Sequence, residues 1–371
     1  MKSFAFRIFI FFLFIPSPAQ SQEHGIPASL AADFIHAVIE AGRTTYSKKV
    51  VEHLTRQDAI TASENWEQEN TLLLPAQFLS MSSKISNSRR VGMKYRLMSL
   101  WPINKHNSPR SQNEKLGLEE VVKNPNKPFT WIVPREGRWY FEAIYPDIAV
   151  SKTCPNCHNN HPNSPKTDFE KGSVMGGIII DLPLGRRTEK NVDSKLLVAP
   201  EVVADYVHSV LDSDRTVYAR HVVNRLEERG ILHSKEKWEN EMALMLPAQF
   251  LLNSAEAIEN KRLGLHFRLI SLYPINPQNR PANEFEQNGL ESVEVHPIRP
   301  YIQITKVGGR KKYFQAIYPD IAVTRGCVNC HNGHPGSPKK DFVLDDVMGG
   351  ILVSFPIKQK LHHLWKGHSK N

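Results

Sequence analysis

No stretch of this sequence is apolar for long enough to cross a bilayer. The run from Ile8 to Ile15 is eight residues, against about 20 for a spanning helix, and no later segment is more apolar. Charge of one sign is never concentrated either. The formal charge is +9 on 371 residues, and its lysines and arginines are scattered with no long basic block. That pattern reads as a solvated surface and gives no footprint for nucleic acid, leaving anionic partners or a membrane face as what a basic surface meets. Cysteine is scarce: there are four, all confined to two short strings.

What is present begins with the N-terminus. Lys2 and Arg7 precede the short apolar run, and Pro16, Pro18 and small residues follow it. This is the layout of a signal peptide over residues 1–21, and the mature chain is expected outside the cytoplasm. Cleavage takes the formal charge down by two, to about +7.

The rest of the chain is one unit written twice. LLPAQF from Leu73 returns as MLPAQF from Met245, and SLWPIN from Ser99 as SLYPIN from Ser271. YPDIAV at Tyr145 returns at Tyr318, and VMGG at Val174 returns at Val347. The offset grows by one residue between the second and third matches, which the sequence assigns to a hairpin turn at Gly308–Gly309. Two long copies mean a duplication, where a solenoid would use many short repeats. The expected organisation is residues 24–184 as one domain, 185–198 as a linker, 199–364 as a second domain and 365–371 as a tail. Each copy opens on a helical stretch, with Leu30, Phe34, Ala37, Val38 and Ala41 on one stripe. A loop rich in Pro and Asn follows, then three strand-like runs. Helices leading into a hairpin-rich antiparallel sheet predict an α+β, PAS-like domain, and about 165 residues per copy is large enough for a real core.

All four cysteines fall in Cys154-Pro-Asn-Cys157-His158 and Cys327-Val-Asn-Cys330-His331. Both fit C-x-x-C-H, the attachment motif of c-type haem. Two thiols three positions apart reach the two vinyl groups on one edge of the macrocycle, and the adjacent histidine becomes the proximal axial ligand to iron. A disulfide or thioredoxin-type pair competes, but it requires no histidine and usually follows a strand in a βαβ unit. Zinc competes too, though four-coordinate sites usually pair two such knuckles. Between the copies Pro155 gives way to Val328, while both cysteines and the histidine stay. The reading therefore expects two covalent haems, with His158 and His331 as metal ligands.

The opposite face of each iron has several candidates. His161 and His334 sit too close to the motif histidine to cross over. Met175 and Met348 precede Gly-Gly in a strand, where a core methionine is the commoner outcome. The first helix carries a second stripe of His36, Ile39, Arg43, Tyr46, Val50 and Leu54, matched by His208, Leu211, Arg215, Tyr218, Val222 and Leu226. Such a face suits either a haem plane, with Arg43 and Arg215 beside propionates, or packing against another helix. His36 and Tyr46 are about 15 Å apart along a helix, so both cannot bind one iron.

At this point the sequence resembles the c-type haem-binding, PAS-like sensor family long catalogued as a domain of unknown function. The resemblance rests on TTYSKKVVEHL, LPAQF, Arg96-x-x-Ser99-x-x-Pro102-x-Asn104, YPDIAV and CxxCHNxHPxSPKxDF…VMGG, and it covers nearly the whole mature chain twice. It implies haem held by Cys154, Cys157 and His158, and by Cys327, Cys330 and His331. Some members use a helix cysteine as the distal ligand; that position is Tyr46 and Tyr218 here. A neutral phenol with a pKa of about 10 is a poor iron ligand, so the tyrosines are expected to line the pocket, with His36 and His208 as the next candidates and Met175 and Met348 after them. Members of the family often serve as periplasmic inputs of histidine kinases and cyclases. No kinase, cyclase or membrane helix follows the second copy, so a redox or signalling partner is expected, with a diatomic gas as a candidate ligand. The alternatives are a dihaem peroxidase and a structural binding module whose haem staples the fold.

Overall fold

The computed structural model describes residues 25–186, 196–307 and 311–357. The expected signal peptide, most of the expected linker, the expected turn at Gly308–Gly309 and the expected tail lie outside these residues. Among the described residues no helix is long and apolar enough to cross a membrane.

Each half is α+β, with helices packed on a four-stranded antiparallel sheet. The first sheet runs in the order Lys94–Met98, Val174–Arg186, Arg138–Ile148, Phe129–Arg135, and the second repeats it as His266–Ile270, Val347–Ile357, Lys311–Ile321, Tyr301–Val307. The edge strand at Lys94–Met98 and the helix Gln112–Lys123 are absent from the sequence reading. The strand has five residues, and the helix start, where Ser111 caps the Glu114 amide, directly follows the Pro- and Asn-rich stretch that reads as loop. The glycines of VMGG have a steric cause. A Cβ on Gly176 would meet the Met98 carbonyl oxygen at 2.4 Å, and one on Gly177 would meet Ile144 and Leu118 at 2.8 Å.

The first helix, Ala28–Thr45, passes without a break into a π-helical segment, Tyr46–Glu52, and then His53–Arg56. Its counterpart is Pro200–Val217, Tyr218–Asn224 and Arg225–Glu228. These two long helices pack on each other, and each also packs on the LPAQF helix of the other half, Pro247–Glu259 and Pro75–Ser88. Each half keeps apolar clusters of its own, around Met98 and Leu118 and around Ile270 and Leu290, but the main core is shared. One apolar core holds Phe34, Leu79 and Tyr95 together with Tyr206, Phe267 and Phe355. Polar contacts join the halves as well, including Ser86 to Ser209 at 2.8 Å, and Arg89 to Asp212. The linker's ends are ordered into strand: Val174–Arg186 runs past residue 184, and Leu197–Val198 pairs antiparallel with Ile26–Pro27.

Candidate functional site

Both C-x-x-C-H strings are helical, at Thr153–Asn160 and Arg325–Gly333. Each helix follows a long sheet strand that ends in a register break, at Asp147/Ile148 and at Asp320/Ile321. Such a break re-aims the chain, here off the sheet and into the motif. On a helix, residues three apart share a face, so the two thiols of each motif point the same way. All four cysteines carry free thiols. Cys154 packs beside Ala149, Phe169, Met175 and Trp101, and Cys327 beside Ala322, Phe342, Met348 and Tyr273. Among the described residues, no group of three or more His, Cys, Asp and Glu side chains is placed to hold a metal ion.

The motif histidines are set by residues that the sequence reading left unassigned. His158 meets the Phe169 ring edge-on at 5.8 Å, and His331 meets Phe342 in the same way. Phe169 is pinned from both sides by Asn159, whose side chain accepts from the Phe169 N–H at 3.0 Å and donates to its carbonyl at 2.9 Å. Asn332 holds Phe342 identically. Lys166 and Lys339 lie over the same phenyl rings, at 5.1 and 5.2 Å. The equal spacing from asparagine to phenylalanine in both copies was the signal for this clamp. The Nδ1 atoms of His158 and His331 are buried without a hydrogen-bond partner. Burial, with His161 and Arg43 nearby, pushes the His158 pKa down, so the ring favours its neutral, ligating form. His161 stays in the turn, its Nδ1 accepting from the Asn163 N–H and its Nε2 lying 3.4 Å from Glu64.

The second stripe of the long helix divides among different neighbours. His36 stacks on Tyr145 at 4.0 Å, and His208 on Tyr318 at 4.0 Å. Burial pushes both imidazoles down to about 4, and both Nε2 atoms are buried without a partner. Arg43 donates to Asp147 and to the Ile148 carbonyl at 3.2 Å, at the register break before the motif. Arg215 pairs with Asp320 at 2.8 Å and Asp212 at 3.0 Å. Each arginine already faces a protein carboxylate at the place where the sequence reading put a propionate.

Tyr46 and Tyr218 lie in the contact between the halves. The rings form a row across it: Tyr46 on Phe78 at 4.3 Å, Phe78 by Phe250 at 5.8 Å, and Phe250 on Tyr218 at 4.6 Å. The Tyr46 hydroxyl donates to the Leu73 carbonyl at 2.9 Å, and the Tyr218 hydroxyl to the Met245 carbonyl at 2.8 Å. For this part of the stripe, helix packing is what the structure shows. Met175 and Met348 are the distal candidates that share an apolar cluster with a motif cysteine.

The fold and site define a duplicated α+β domain with a Cys-x-x-Cys-His helix leaving the end of its sheet in each half. A model of the Tll0287-like family matches residues 25–183 and again 194–356, and the chain belongs to that family in two tandem copies. At family level this is a cytochrome-like sensor domain, the same class that the repeated motifs resemble. No curated protein and no solved structure matches the chain.

Proposed function

We propose that this is an exported dihaem protein, with one c-type haem attached in each half, which reports redox state or gas capture to a partner or passes electrons to it. The observation that carries this reading is the pair of motif helices, each with two free thiols on one face and a histidine whose buried Nδ1 lacks a partner. Those residues fit the group. Cys154 and Cys157, and Cys327 and Cys330, would add their S–H bonds across the vinyl groups, and His158 and His331 would supply a neutral imidazole. The bound haem would contribute one-electron chemistry and a site for a small ligand. Export rests on the N-terminal sequence.

The chain's own residues provide the path outward. Arg43 ties the long helix to Asp147 and Ile148, immediately ahead of the motif helix. The same long helix packs on the other half. A shift of the motif helix would therefore bear on the contact between halves, which is where the two states of a sensor would have to differ. A peroxidase would draw on the same arginines and histidines, and those are already paired with carboxylates or covered by tyrosine rings.

Denaturing mass spectrometry of the purified chain tests the reading. The mass is expected to exceed the mature polypeptide by two haem groups, and Cys157→Ala should leave stable attachment in the second half alone. An unmodified mass with four free thiols overturns the proposal.

A further inference from the structure

The contact between the halves carries a row of charged side chains that is continuous toward one motif and interrupted toward the other. Arg89, the C-cap of the first half's LPAQF helix, donates to one oxygen of Asp212 on the second long helix. The other oxygen of that carboxylate accepts from Arg215 at 3.0 Å. Arg215 reaches Asp320 through its second terminal nitrogen at 2.8 Å, and it donates to the Ile321 carbonyl at 3.2 Å. Charges alternate along the row, and each planar guanidinium meets a carboxylate. The Arg215 side chain is only 7% exposed, so the middle of the row is sheltered from solvent. Asp320 and Ile321 form the register break just ahead of the second motif helix, and Arg220 adds a bond to the Val323 carbonyl at 3.4 Å.

The counterparts toward the first motif are Lys261, Glu40, Arg43 and Asp147. Lys261 pairs with Glu40, and Arg43 with Asp147, but among the described residues no bond joins Glu40 to Arg43. Two replacements account for the gap. Glu40 is one methylene longer than Asp212, and its Oε2 goes to Lys261 and lies 3.8 Å from the His36 Nδ1. Lysine presents a single ammonium where Arg89 presents a fork. The His36 ring, with its pKa pushed down to about 4 by burial, is neutral and adds no charge to bridge the gap. The side chains of Lys261 and Glu40 are also 32% and 35% exposed, where solvent screens a pair strongly.

We propose that this row is a one-sided coupling between the halves. The second motif helix is tied to the first half through Arg89, Asp212, Arg215 and Asp320, which makes Arg89 a positioning residue for a motif in the other half. The first motif helix reaches the second half only through the packing of its long helix. A displacement of the second motif is therefore passed to the first half's LPAQF helix, whereas along the other row a displacement of the first motif stops at Arg43. The tie is made by side chains alone; its use as a signal route rests on the function proposed above.

The test uses the full mature chain, and its readouts do not depend on haem. In chemical denaturation Arg89→Gln and Asp320→Asn should be coupled, the unfolding constant of the double variant departing from the product of the single effects by about threefold or more. Lys261→Gln and Asp147→Asn should combine as independent changes. Hydrogen exchange reads the same asymmetry: Arg89→Gln should speed exchange across Arg325–Gly333 roughly tenfold and leave Thr153–Asn160 as it was, while Lys261→Gln speeds neither. Asp212→Glu places the first copy's residue in the row with its charge kept, and it should abolish the coupling of Arg89 to Asp320; coupling that survives it comes from bulk charge and overturns the row. Equal coupling in the two pairs, or unchanged exchange across Arg325–Gly333 in Arg89→Gln, also overturns the proposal. Should Asp320→Asn fail to fold, the exchange of the Arg89 variant decides by itself. A chain that proves to carry no haem defeats the function proposed above and leaves these results standing.

Discussion

Asp214 stands where the two long helices cross, and its counterpart in the first copy is Gly42. A Cβ on Gly42 would fall 2.1 Å from the Asp214 Oδ2, so the glycine is what admits the carboxyl group. Asp214 is only 4% exposed. Burial pushes its pKa up from 3.8 to about 7, against a smaller opposing effect of the Ser82 hydroxyl, and the Tyr95 ring lies close enough to feel its charge. A carboxyl group with a raised folded-state pKa is neutral in both states at low pH and contributes no penalty there. Between about pH 4 and pH 7 the unfolded chain ionises while the folded chain does not, and stability falls by about 1.4 kcal/mol per pH unit. Above pH 7 both states are ionised and the loss levels off near 4 kcal/mol. With an unfolding entropy of roughly 2.1 cal/mol/K per residue, this is a fall in Tm on the order of 6 °C. Asp214→Asn keeps the shape and removes the charge. Melting curves of the two proteins should coincide within a degree or two near pH 4 and separate as pH rises, with the asparagine variant the more stable at pH 8. A difference between the two curves that does not change from pH 4 to pH 9 would refute the reasoning.

Gly42→Ala drives a methyl group into the same carboxylate and should cost about 1–3 kcal/mol in chemical denaturation; combined with Asp214→Gly, much of that loss should return. Tyr46→Phe removes a buried hydrogen bond worth about 1 kcal/mol, and the absorption spectrum should stay unchanged because the hydroxyl is held by Leu73. A spectral change in that variant would, on the proposed haem reading, put the tyrosine at the iron. Asn159→Ala should loosen Phe169 and alter the environment of His158, seen as a changed spectrum in one half's contribution, while Asn160→Ala, whose side chain turns back to Asn156, should leave it as it was.

The sequence by itself determined the duplication, the α+β content and the two Cys-x-x-Cys-His strings, whose helical form came with the structure. These are local or repeated patterns: a recurring string, a period of two residues, a cysteine pair three positions apart. It also showed that the long helix has two buried faces, since His36, Arg43 and Tyr46 recur at the same spacing as His208, Arg215 and Tyr218. What covers each face was decided only by tertiary structure. Periodicity reports that a stripe leaves water, and it carries no information about the surface that receives it. Here Tyr145 takes His36, Asp147 takes Arg43, and the aromatic row led by Phe78 and Phe250 takes the tyrosines. Gly42 facing Asp214, and Arg43 facing Asp147, are likewise invisible in any local stretch of the sequence. Each depends on which residues of one copy the folded chain lays against the other, or against a segment about a hundred residues away.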